Sequence, residues 1–343
     1  MSTPDKPPIL QWLFDTRPWF PSCTTPSQLP SDPLASRILA LLTPSEATAV
    51  LKYYHVRDAK MSLASSLLKH LAIAHLSPTT PWTSTLITRD PLTKPTWIDP
   101  ATGRAPIAFN VTHQAGLVAL IAIPSLDPSL EKIQVGIDLV CTSERRTRDH
   151  ALIATDTWPR FVDMHADVFS PRETSYLKYE VLSRVPGLVP PGATAEQVTD
   201  AKLRAFYALW ALREAYVKLT GEALLAEWLK ELEFRAFRPV APTSGWGVPA
   251  REEDGTRGED GRYGAQVIGN PEVWFRGKRV EDVNMSLRAL GEDYMICTAV
   301  RTPGRREVGM GWKLRGYRVL ELEEMLEFAE ARAAEAEGKW LVC

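Results

Sequence analysis

The stretch LRAFYALWALREAYVKLTG, residues 203–221, places apolar Leu209, Leu212, Tyr216 and Leu219 at alternating three- and four-residue intervals. That spacing predicts an α-helix with one face on a core. Gly221 closes it, because glycine tolerates the left-handed backbone that commonly ends a helix. The stripe leaves Glu214 and Lys218 together on a different face at i,i+4 spacing, so a carboxylate and an ammonium project side by side. Taken alone, such a pair is an ordinary solvated contact worth ~0.3–0.5 kcal/mol.

Upstream, IQVGIDLVC (residues 133–141) reads as a β-strand with one acid, Asp138, inside an apolar run. An unpaired carboxylate buried there would cost several kcal/mol, so something cationic should neutralise it. A divalent metal bridging Asp138 and Glu214 is one answer. The other is an aspartate at a strand end, hydrogen-bonded or facing water. Further upstream, FNVTHQAG (residues 109–116) puts Thr112 and His113 beside a turn, just before the buried strand GLVALIAIP. A hydroxyl and an imidazole suit phosphate oxygens, although a histidine in such a place also serves as a structural hydrogen-bonder.

The remaining chain fits a mixed architecture. Residues 1–35 are proline-rich, and two helices are expected after them, one around Leu39–Leu51 and one in MSLASSLLKHLAIAHL (61–76). TSTLITRD reads as a short strand, TKPTWIDPATGRAP as a turn-rich connection and Pro124–Lys132 as a linker. FSPRETSYLKY opens a helix at a Ser170-Pro171 N-cap with Glu173 at its third position. Residues 239–264, rich in Gly, Pro and charge, read as a mobile surface insertion. VNMSLRALGEDYMICTAV is a hairpin turning near Gly291 and Glu292, and RVLELEEMLEFAEARAAEAEGKW an acidic amphipathic helix. Both halves mix helices with antiparallel-looking strands, so the fold class is α+β, built as two similar lobes meeting at a cleft.

The totals bound the function. The chain has 343 residues, 45% hydrophobic and 24% charged, with 40 Lys and Arg against 42 Asp and Glu, so no global field draws it to nucleic acid. The run Arg301, Arg305, Arg306, Lys313, Arg315 and Arg318 reads as a solvated stretch. Cys23, Cys141, Cys297 and Cys343 show no metal or disulfide spacing, and neither a signal peptide nor a membrane span is evident, which predicts a cytoplasmic protein.

Taken together and in order, Phe109-Asn110-Val111-Thr112-His113, Gly136-Ile137-Asp138 and Trp210-Ala211-Leu212-Arg213-Glu214-Ala215-Tyr216-Val217-Lys218 resemble the 4'-phosphopantetheinyl transferase superfamily in its two-lobed, Sfp-type branch. YYHVRDAKMSLASSLLKH, Lys94-Pro95 and FSPRE extend the likeness, which covers residues 45–235 well. The resemblance implies the pseudo-two-fold fold of that family, with residues 1–130 as the coenzyme A-binding lobe. By the same resemblance residues 131–343 would form the metal-binding, catalytic lobe, including the insertion and the C-terminal helix. It implies magnesium-dependent transfer, with manganese as an alternative metal, of the phosphopantetheine arm of coenzyme A to a serine of an acyl or peptidyl carrier protein. The carriers would be those of fatty-acid, polyketide, nonribosomal-peptide or lysine synthesis, and the released product 3',5'-adenosine bisphosphate. Asp138 and Glu214 would hold the metal, and Asp138, Glu214 and Lys218 would carry catalysis. Thr112, His113, Lys94 and Arg213 would contact coenzyme A, as would Lys52, Lys60, Ser62 and Lys69 from the front helices. Carrier docking is expected at the helix after Phe169, through Tyr176, Leu177 and Lys178, and a monomer is expected.

Two positions depart from the family pattern. Val140 stands where bacterial relatives place a second acid, and Arg213 replaces the commoner lysine. The competing reading is a non-catalytic relative that binds coenzyme A or carrier proteins, followed by a plain α+β interaction protein.

Overall fold

The computed structural model describes residues 9–125, 133–222, 227–245 and 264–338. The chain divides into two compact units. One runs up to Val135 and takes in the chain from Tyr317 onward, and the other is Gly136–Gly316. Helices and sheets are mixed in both, as an α+β class requires.

The first unit is built on a four-stranded sheet ordered Arg318–Val319, Leu10–Asp15, Leu117–Pro124, Ile107–Gln114. The last two strands form a hairpin, Phe109 opposite Ala122, whose two-residue turn is Ala115 and Gly116. Both turn residues have positive φ, 48° and 88°, the twist that matches flanking antiparallel strands. Three helices, Pro33–Leu41, Pro44–Leu51 and Val56–Leu76, follow the first strand, one more than the sequence suggested. Each of the first two begins with a proline after a capping residue: Asp32 accepts from Leu34 and Ala35, and Thr43 pairs with Glu46 in a capping box. The helix Val56–Leu76 buries Leu63, Leu67, Leu68, Leu71 and Ile73 in the core under the sheet.

Strand Leu10–Asp15 went unseen in the sequence. LQWLFD is buried along nearly its whole length, so it lacks the alternation that marks a half-buried strand. The C-terminal helix, Leu322–Gly338, was expected in the second lobe but belongs to the first unit. Met325, Leu326 and Ala329 join the first core, and Arg37 forks onto Glu330 at 2.8 Å.

In the second unit a four-stranded sheet runs Gln134–Cys141, Tyr294–Arg301, Val283–Leu290, Val267–Gly269. The expected hairpin turns at Gly291, φ 65°. Against this sheet lies the long helix Ala195–Thr220, opened by a Thr194/Gln197 capping box and closed by Gly221 at φ 86°. It starts eight residues before the stretch 203–221 that marked it, because its first two turns are mostly polar and carry no buried residue. The stripe is as predicted: Leu209, Leu212, Tyr216 and Leu219 are all buried. A small second sheet orders Lys278–Val280, Glu272–Phe275 and Leu232–Arg235.

The Ser170 N-cap also forms, with Ser170 N–H donating to Glu173 Oε2 at 2.9 Å. Its helix, Pro171–Ser175, passes through one π-turn at Tyr176–Glu180 and continues as Val181–Arg184. Residues 246–263 of the expected insertion and 126–132 of the expected linker lie outside the described residues. No helix among the described residues is long and apolar enough to cross a membrane.

Candidate active site

Successive strand residues face opposite ways, so Gly136, Asp138 and Val140 of Gln134–Cys141 share one face, and the long helix packs over it. Gly136 sets the separation. A methyl group there would lie 2.0 Å from the Ala215 carbonyl oxygen and 2.5 Å from the Leu219 nitrogen, both backbone atoms that cannot turn aside. The glycine of the G-x-D motif is therefore a spacing device: it lets a carboxylate two residues later reach side chains of the helix. Gly136→Ala is expected to destabilise the protein by roughly 1–3 kcal/mol, the range for overpacking a filled interior. Thermal denaturation checks this, and an unchanged melting midpoint would mean that strand and helix separate without cost.

Asp138 is 7% exposed, and Lys218 Nζ donates to its Oδ1 at 2.7 Å across eighty residues of sequence. Glu214, one helical turn before Lys218, is pushed up to about 7 by burial first and by the neighbouring Asp138 charge second, with Lys218 opposing. Strand acid, helix acid and helix amine therefore converge, and the amine pairs with the distant acid.

Among the described residues no group of three or more His, Cys, Asp and Glu gathers anywhere. Val140, 4% exposed, belongs to the apolar cluster of this unit and offers no oxygen. Two carboxylates remain, and the proton affinity of Glu214 is raised by burial and then by Asp138. That donor set suits magnesium, which binds through one or two carboxylates and keeps water or substrate phosphate for its other positions.

Arg213, expected at coenzyme A, is enclosed in the core. It is 0% exposed, its guanidinium donates to the carbonyls of Leu229 at 2.6 Å and Leu232 at 2.8 Å, and it pairs with the buried carboxylate of Glu173. Neighbouring helix residues point about 100° apart, so the position before Glu214 turns into the core when Glu214 turns toward Asp138. The sequence had already marked Glu173 as a capping residue. Its second role, as counter-ion to Arg213, depends on a fold contact that no local pattern displays.

The first-unit candidates are dispersed. Thr112 and His113 are adjacent in strand Ile107–Gln114, so their side chains leave opposite faces, Thr112 buried and His113 exposed. The expected paired donors are thereby split. Lys94 is half-buried and donates to the Val135 carbonyl at 3.3 Å. On the front helices Lys52 is exposed, while Ser62 and Lys69 are half-buried. Burial pulls the Lys69 ammonium below its usual range, with Glu46 partly opposing. Lys60 is only 9% exposed, and burial pulls its ammonium below its usual range as well.

Two family models match successive parts of the chain. The one described as 4'-phosphopantetheinyl transferase, N-terminal, covers residues 29–125, and that of the 4'-phosphopantetheinyl transferase superfamily covers 134–255. The chain belongs to the 4'-phosphopantetheinyl transferase superfamily and is a transferase. It is 43% identical to 4'-phosphopantetheinyl transferase 1 of Fusarium mangiferae, over 94% of this chain and 96% of that one. With 4'-phosphopantetheinyl transferase NpgA of Emericella nidulans the identity is 35%, over 88% and 85%. A human relative, L-aminoadipate-semialdehyde dehydrogenase-phosphopantetheinyl transferase, is 25% identical over 66% of this chain and 60% of its own length.

Proposed function

We propose that this protein transfers the 4'-phosphopantetheine arm of coenzyme A to a serine of acyl or peptidyl carrier proteins, and that Asp138, Glu214 and Lys218 carry the reaction. The convergence of these three side chains supports the reading most directly. Asp138 and Glu214 would hold magnesium or manganese, which when bound supplies positive charge to the diphosphate of coenzyme A. A carrier serine is a poor nucleophile at neutral pH, so a base must take its proton as the oxygen attacks the phosphorus bearing the pantetheine arm. Glu214, with its raised proton affinity, is that base. The bond that breaks joins this phosphorus to the oxygen of the departing 3',5'-adenosine bisphosphate. Lys218 supplies positive charge to that leaving oxygen. The nucleotide end of coenzyme A carries several phosphates, for which Lys52, Ser62, Lys69, Lys94, Thr112 and His113 are the candidates.

The carriers would be those of fatty-acid, polyketide, nonribosomal-peptide or lysine synthesis. A cytoplasmic location fits the buried free thiols Cys23, Cys141 and Cys297, and a monomer is part of the same proposal. The decisive measurement is the mass of a purified apo carrier protein after incubation with this protein, coenzyme A and magnesium. A gain of one phosphopantetheine with release of adenosine bisphosphate is expected. Coenzyme A binding without any gain would leave only a binding relative.

The docking residues need revision. Leu177 is fully buried, the Tyr176 hydroxyl donates to the Phe237 carbonyl at 2.9 Å, and Lys178 pairs with Asp163, so the three expected contacts turn inward. The same helical segment instead exposes Tyr179 (70%) and Leu182 (38%), and Met164 (45%), the C-cap of helix Trp158–Asp163, is exposed as well. Arg160 and Arg172 are exposed on these elements. Exposed apolar side chains with cations on the same elements fit an acidic helical carrier. Replacing both Tyr179 and Leu182 with alanine should raise the KM for the carrier about tenfold, the loss of 1–2 kcal/mol typical of an anchor, and leave kcat and coenzyme A binding near wild type. A fall in kcat at unchanged KM would place docking elsewhere.

A further inference from the structure

The proposed base and metal pair leaves one contact without a role: the ammonium of Lys218 sits on Asp138 Oδ1 at 2.7 Å, on a carboxylate that would hold the divalent cation. We propose that Lys218 and the divalent cation compete for Asp138, so that cation entry frees the lysine for the leaving group. This inference rests on the reading of Asp138 and Glu214 as the cation-holding pair.

Three observations carry it. The side chain of Asp138 is only 9% exposed, so its carboxylate has little open room for a second cation beside the ammonium. The Lys218 side chain is 30% exposed and rides on a flexible four-carbon stem, so it can leave without unpacking the helix. Val140 contributes no third carboxylate, so Asp138, Glu214 and Lys218 together carry at most one net negative charge. Two carboxylates attract a divalent ion strongly only once the ammonium on Asp138 is gone, since like charges a few ångströms apart repel most where water is excluded. A third acid at position 140 would let both cations coexist, so the valine makes the exchange obligatory. The lysine thereby becomes available only in molecules that have taken up their metal, and it screens two facing acids in those that have not.

The test uses Mn²⁺ alone as probe, with binding read by electron paramagnetic resonance or calorimetry on the full chain. Lys218→Met is expected to bind Mn²⁺ at least tenfold more tightly than wild type, Lys218→Arg no more tightly, and Asp138→Asn more weakly than wild type. Equal affinity in wild type and Lys218→Met overturns the competition while leaving the metal pair intact. No Mn²⁺ binding by either overturns both. A second measurement needs no variant: acetic anhydride labelling of wild-type Lys218, followed by mass spectrometry, should run several-fold faster at saturating Mn²⁺. An unchanged or slower rate overturns the proposal.

Discussion

Glu214→Gln is expected to lower phosphopantetheine transfer by about three orders of magnitude while making the protein more stable at pH 8. The first effect follows from chemistry: a well-placed general base contributes typically ~10²–10⁴-fold, and glutamine keeps the shape of glutamate but cannot accept the serine proton. The second follows from linkage. Burial and the Asp138 charge raise Glu214 from an ordinary carboxylate value to about 7. An acid raised in the folded state binds more protons folded than unfolded between those two values, so stability falls as pH climbs through that window. The deficit is absent below about pH 4, develops between pH 4.5 and 7, and stays constant above 7; its upper size is ~3 kcal/mol at 1.36 kcal/mol per unit. A glutamine carries none of it. Denaturant titrations at pH 4 and pH 8, without added metal, should show no gain for the variant at pH 4 and a gain of about 1–3 kcal/mol at pH 8. A variant equally active, or destabilised at pH 8, would remove Glu214 from the role of buried base.

The contrast between Glu214 and its neighbour shows what the sequence could and could not reveal. Order and spacing of the three motifs marked Asp138, Glu214 and Lys218, because a helix stripe fixes which residues face away from the core and a lone acid in a strand needs a partner. What spacing cannot show is which of two cations that partner is. Lys218 reaches Asp138 because Gly136 lets the helix close in, a fact of backbone approach and not of charge pattern. In the same way Tyr179 was hidden behind Tyr176 and Leu177. A regular helical period cannot anticipate the π-turn at Tyr176–Glu180, which shifts every later side chain around the helix. Strand Arg318–Val319 pairs in parallel with Leu10–Asp15, some three hundred residues earlier, and carries the C-terminal helix into the first unit. Only tertiary pairing can show such a return.

Arg213→Met is expected to cost about 3–5 kcal/mol of stability, and the reason bears on catalysis although Arg213 is closed off in the core. Its guanidinium is 0% exposed and holds three elements at once: its own helix, the segment through Leu229 and Leu232, and the capped helix through Glu173. Glu173 in turn accepts from the backbone of Ser170 at 2.9 Å and of Phe234 at 2.8 Å. Deleting the arginine leaves a carboxylate that is 3% exposed without its counter-ion. Lysine restores the charge but cannot place planar donors on two carbonyls and a carboxylate together, so Arg213→Lys should recover only a small part. Adding Glu173→Gln to Arg213→Met should recover more, because it removes the stranded charge and keeps a capping side chain. Urea unfolding of the four proteins separates these cases. If Arg213→Met instead kept its unfolding midpoint and lost coenzyme A affinity, Arg213 would be a ligand contact after all. The expected outcome makes this arginine the residue that fixes the rotation of the long helix: with position 213 locked into the core, position 214 faces Asp138, and the acid pair forms.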